Sequence, residues 1–300
     1  MKAVQTFDFS PLTAPLDRSA VQALRRESVA AKIVPTEISD VFNLGVAVFG
    51  LILTWFLIAG INFVPGVPAD FLRIQRDVAD IFLGGVTVLF VAAIVYAMYR
   101  LLVRWGQFYR TKQFAAVNAL TYAVSEAKPT WDCLLFGAKD EEARAASVFT
   151  ATGSPVFEAG NYHYSTRKPD GKLTDATQWG YIVVDLGRPV PSMVLRSKSR
   201  RSARRWALGA YSRNPVLPLG GFADPWFTLY CPAGAEGDAR KIFTPELISR
   251  LRALGRAVDV EISGSFLFVY SCKSFRFPRP RAVRAVFAII SMMSQSLRTA

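Results

Sequence analysis

Two stretches of this chain are apolar without interruption: Val41 to Ala69 and Ile81 to Tyr99 contain no charged residue and are rich in Val, Ile, Leu and Phe. A helix rises 1.5 Å per residue, so about 20 residues cross a hydrocarbon core of roughly 30 Å. The pattern therefore predicts two membrane spans, at about 43–64 and 81–102. The turn signal Val64-Pro65-Gly66-Val67-Pro68 lies between them and predicts an antiparallel hairpin. About forty mostly polar residues precede the first run, so it reads as a retained anchor rather than a cleaved signal.

After the second run the pattern changes. Good helix formers from Arg104 to Val124 predict an extension of the second span, and Asp140 to Ala146 predicts a second helix with acids in its first turn. Beyond Thr150 the apolar positions take strand form, at 161–166, 179–186, 192–196, 226–231, 258–263 and 265–271. In the last pair, flanking Ser263-Gly264-Ser265, Val258, Val260 and Ile262 share one face while Asp259 and Glu261 share the other. Thr244-Pro245-Glu246 opens a helix that Gly255 stops. The spacing from Arg281 to Arg298 predicts a basic amphipathic helix. Its apolar face either packs on the globular core or rests in a membrane interface.

The fold expected is α+β: an N-terminal two-helix transmembrane hairpin, then a domain with a largely antiparallel sheet and a few helices. Its parts are an N-terminal segment with a short helix (1–40), the hairpin (41–102), juxtamembrane helices (103–150), the globular domain (151–275) and the C-terminal helix (276–300).

Charge then adds an orientation and a candidate surface. The chain carries 36 Lys and Arg against 23 Asp and Glu, a net +13. Arg100, Arg104, Arg110 and Lys112 follow the second span with no acid before Glu126, which predicts a multi-pass plasma-membrane protein with both termini cytoplasmic. No acid occurs from Leu186 to Ala223, or after Glu261. Arg196, Lys198, Arg200, Arg201, Arg204, Arg205, Arg281 and Arg284 are the residues expected to contact anionic lipid or a partner. Lys273, Arg276 and Arg279 belong to the same acid-free tail.

Candidate chemistry is sparse. His163 is the only histidine, which excludes paired-His metal sites; Cys133, Cys231 and Cys272 are too scattered for a zinc site or a disulfide framework. No phosphate-cradling glycine motif occurs. The reading is an interaction or regulatory module without catalysis, cofactor or metal, whose partners are the bilayer, anionic lipids, a protein or a second copy. Two rivals remain. An enzyme would use Asp185 or Glu261, with Asp259 on the same strand face as Glu261, and would need a cleft converging on them. A nucleic-acid-binding protein would need exposed aromatics near the 196–205 cluster, where Trp206 and Tyr211 are the local candidates.

Five segments carry a resemblance: Phe157 to Tyr164, Gly180 to Arg188 with Pro191, Phe227 to Pro232, Ile242 to Leu247, and Asp259 to Ile262. Their order after the two apolar runs resembles a family of uncharacterised two-span bacterial, chiefly actinobacterial, membrane proteins. The resemblance spans roughly residues 40 to 275 and implies a bacterial plasma membrane, a cytoplasmic α+β domain and no assigned activity.

Overall fold

A computed structural model describes residues 6–33, 49–50, 69–136, 141–153, 156–168, 170–174, 177–199, 213–218, 224–255, 257–277 and 279–296. The chain divides into two compact units, residues 16–109 and residues 1–15 with 110–300.

In the first unit, α1 (Arg18–Ala30) is capped by Asp17, whose carboxylate accepts the Ser19 and Ala20 amides at 2.8 and 3.3 Å. A second helix, α2, runs without a break from Ala69 to Val117. It leaves Val88, Val91, Val95, Tyr99 and Leu102 exposed and buries Trp105 against Phe108.

This helix corrects the membrane expectation. The expected connector is helical from Ala69 onward, so Asp70, Arg73, Arg76, Asp77 and Asp80 lie in the same helix as Arg100 and Arg104. Among the described residues no helix is long and apolar enough to cross a membrane. This overturns the two-helix transmembrane hairpin, the multi-pass plasma-membrane location and the transmembrane character expected from sequence. The first expected span, 43–64, lies outside the described residues apart from Phe49 and Gly50. A run free of charge fixes only its own length; where its helix begins and ends is decided by the flanking residues.

Among the described residues the second unit is built on nine antiparallel strands: β1 (Thr121–Ala127), β2 (Glu141–Ala151), β3 (Phe157–Ser165), β4 (Thr177–Asp185), β5 (Met193–Ser197), β6 (Val216–Leu217), β7 (Phe227–Tyr230), β8 (Val258–Ser263) and β9 (Phe266–Ser271). Their order is β1-β2-β3-β4-β9-β8-β5-β7-β6. Its described residues also form α3 (Glu236–Ile242), α4 (Pro245–Leu254) and α5 (Pro280–Ser296), besides a 3-10 turn at Ser10–Leu12 and the end of α2. The strands expected from Asn161 onward, the β8–β9 hairpin and the capped helix α4 are all present. Thr244 accepts the Leu247 amide at 3.2 Å, and Gly264 takes a φ of 60° in the hairpin turn.

Residues 121–124 and 141–146 are strand, not helix. The composition of Glu141 to Ala146 favours a helix, but pairing with β1 and β3 outweighs intrinsic preference. Two irregularities in the β2–β3 register, between Glu141 and Arg144 and between Ala146 and Phe149, hide the alternation. Glu142 and Ser147, at φ of 50° and 52°, sit inside them.

Both sheet faces are covered. Ile182, Val184, Val258, Val260, Ile262, Leu267 and Val269 belong to the larger core, together with α3, α4, α5 and the end of α2. Phe287 of α5 occupies its centre. Its ring meets those of Phe7, Phe114, Phe149 and Phe157 at 4.8, 4.9, 5.4 and 5.8 Å, all edge-on. The opposite face carries Tyr162, Trp179, Tyr181, Val183, Phe268 and Tyr270, packed with Leu135 and Phe136 of the segment after β1.

Replacing Phe287 with Ala should lower the unfolding free energy by about 3–5 kcal/mol, because one cavity would border four rings. Denaturant unfolding of the full chain measures this; a loss below about 1 kcal/mol would contradict the central role given to this ring.

Candidate functional site

Alternation along β8 sets Val258, Val260 and Ile262 on one face and Asp259 and Glu261 on the other, and both acids are buried. Buried carboxylates need partners, and these have them. The Glu261 carboxylate accepts the Leu134 amide at 2.8 Å and the Tyr270 hydroxyl at 2.6 Å. Asp259 accepts the Ser197 amide at 2.7 Å. Asp185 accepts the Gly187 amide at 2.9 Å in the turn leaving β4.

Glu158, not among the acids singled out from the sequence, belongs to the same system. It accepts the Tyr181 hydroxyl at 2.5 Å and the Trp131 indole N–H at 3.2 Å. Strand register places Glu158, Val183, Phe268 and Glu261 in one row across four strands. The two glutamates therefore fasten the 131–134 segment to the sheet at two points. Burial, chiefly, pushes the neighbouring Cys133 thiol up to about 11, so it stays protonated at neutral pH. Among the described residues, neither the cavity beside Arg240 and Arg252 nor the one beside Arg276 and Arg279 is lined by Asp185, Asp259 or Glu261.

The basic residues divide into separate groups. Arg200, Arg201, Arg204 and Arg205 lie outside the described residues, as do Trp206 and Tyr211. Arg196 is half-buried on β5 opposite Thr228 of β7, and Lys198 donates to the Asp224 carbonyl at 2.6 Å. Arg284 stacks over the Phe9 ring at 5.7 Å. Among the described members of the expected set, Arg281 lines a cavity.

That cavity, of about 730 Å³, lies between the exit of β9, the end of α4 and the start of α5. Lys273, Arg276, Arg279 and Arg281 line it, and all four are exposed. Among the described residues no acid lines it. Its apolar wall includes Leu254, Phe275, Ala282 and Ala285.

The scaffold under these cations is firmly held. Asn161 accepts the Phe275 amide at 2.6 Å and donates to the Phe275 carbonyl at 3.0 Å. Ser274 donates to Gln178 at 3.0 Å, and the Cys272 amide donates to the Ala257 carbonyl at 3.1 Å. The Phe275 ring lies so close to Gly180 that a Cβ there would meet it at 2.9 Å, so any side chain at this position would force the ring aside. Lys273, Arg276 and Arg279 are visible in the sequence as an acid-free tail. Their convergence depends on this loop, and no spacing announces it.

No protein-family model matches the chain, and no curated protein does. Among solved structures it is similar to the mycobacterial trehalose monomycolate transport factor A, at 12% identity and a TM-score of 0.36, covering 64% of this chain and 96% of that one. A likeness of that degree assigns no function.

Glu261→Gln should cost about 1–3 kcal/mol of stability, since it weakens two buried bonds, whereas Asp185→Asn should stay within about 0.5 kcal/mol. Equal losses in denaturant unfolding would contradict the fastening role. His163, half-buried beside Arg144, is held below its ordinary pKa of 6.5 by burial first and by that charge second. The unfolded chain then binds the proton more readily, so this contribution is complete above about pH 6.5 and is lost as pH falls through the folded value. The single imidazole should titrate below 6.5 by proton NMR; a midpoint above it would contradict the burial.

Proposed function

We propose that this chain is an interaction module that binds a phosphate-bearing ligand in the basic cleft, without covalent chemistry. One observation carries the reading: four cations surround a single cavity that no described acid lines. A cleft lined by one sign of charge concentrates counter-ions, and guanidinium groups match phosphate oxygens in geometry and charge. The start of α5 supports it further. Its first turn carries Arg281 and no acid, so the positive end of the helix dipole adds to the arginines rather than offsetting them. An anion compensates both.

Two sources share this chemistry, a lipid headgroup and a free phosphate compound. The test uses the full chain with inorganic pyrophosphate in one arm and vesicles containing an anionic phospholipid in the other, against vesicles of neutral lipid. Binding in either anionic arm is expected, weakening as salt rises from about 0.05 to 0.3 M because the Debye length shrinks. Arg276→Glu with Arg279→Glu and Arg281→Glu should weaken it by about tenfold or more while leaving the melting temperature unchanged, since these side chains are exposed. Binding by the wild type in neither arm, or equal binding by the triple variant, would overturn the reading.

A further inference from the structure

The second cavity lies on another part of the same unit and shares no lining residue with the basic cleft. It measures about 630 Å³, within the usual range of about 300–1,000 Å³ for small-molecule pockets. Leu217 of β6, Leu229 of β7, Phe243, and Ile248 of α4 give it an apolar lining. Three of these, Leu229, Phe243 and Ile248, also belong to the buried core, so the walls are set by the fold rather than by loose surface loops.

Two arginines line the same cavity, Arg240 of α3 and Arg252 of α4. Arg252 is held on two sides: it pairs with Asp224, and its guanidinium lies over the Trp226 ring at 5.9 Å. Asp224 is in turn fixed by the Trp226 and Phe227 amides at 2.7 and 3.0 Å. The pairing leaves the Arg252 Nε buried without a hydrogen-bond partner. Such a donor is costly until an acceptor meets it. Arg240 is exposed and, among the described residues, forms no ion pair within 4.0 Å; its charge acts on Glu236, one turn earlier, at longer range. The acid of the cavity, Asp224, is thus neutralised by one arginine while the other adds a net positive charge.

We infer that this cavity binds an aliphatic carboxylate, with the chain of the ligand against Leu229, Phe243 and Ile248 and its carboxylate at Arg240 and Arg252. Charge complementarity selects the carboxylate: an uncharged aliphatic would satisfy the walls and leave the charge of Arg240 without an anionic acceptor in the cavity. This site is independent of the basic cleft and stands or falls separately.

The experiment titrates the full chain with dodecanoate and with dodecanol by calorimetry. Dodecanoate should bind, and dodecanol about tenfold more weakly or worse. Arg240→Glu, at an exposed position, should weaken dodecanoate binding by about tenfold, and Ile248→Trp should remove it by filling the cavity. The Arg276, Arg279 and Arg281 triple variant should bind dodecanoate as the wild type does. No dodecanoate binding by the wild type, equal binding by Arg240→Glu and the wild type, or displacement of dodecanoate by pyrophosphate would overturn the inference.

Discussion

The burial of the α5 apolar face is the constraint on which the rest of this unit depends. Val283, Val286, Phe287, Ile290 and Met293 are all buried, and Phe287 is packed edge-on by four rings drawn from the N-terminal segment, α2, β2 and β3. A helix with its apolar stripe committed in this way has no freedom to turn. Its N-terminus is therefore fixed beside the loop that leaves β9, and Arg281 is held near Lys273, Arg276 and Arg279. Hydrophobic packing places the charges; the charges do not place themselves.

The same helix separates what is legible in the sequence from what is not. Its spacing of apolar residues was legible, and so was the basic tail around it. Whether the apolar face met a core or a membrane interface was open, because periodicity identifies a face without identifying what covers it. The strands from β3 onward were legible for a related reason: alternation at Val258, Val260 and Ile262 survives in a regular strand. In β2 it does not, because the register irregularities at Glu142 and Ser147 shift the side chains between faces. The second uncharged run misled in a different way, since its content said nothing of a helix that begins at Ala69 and ends at Val117.

Carboxylates packed into the sheet and exposed cations have opposite tasks here. Glu158 and Glu261 sit in one row of the sheet and commit their oxygens to Trp131, Tyr181, Leu134 and Tyr270, which ties a loop across an aromatic face. A carboxylate that accepts from both the sheet and the loop in this way is a fastener. Lys273, Arg276, Arg279 and Arg281 are exposed around a cavity without a described acid, as the proposed anion requires.

Hydrogen exchange on the full chain, with and without pyrophosphate, tests this account most directly. Slower amide exchange confined to residues 273–285 is the predicted result, because that segment frames the cleft. Slowing centred on Arg196 and Lys198 with none at 273–285, or no change anywhere, would contradict it.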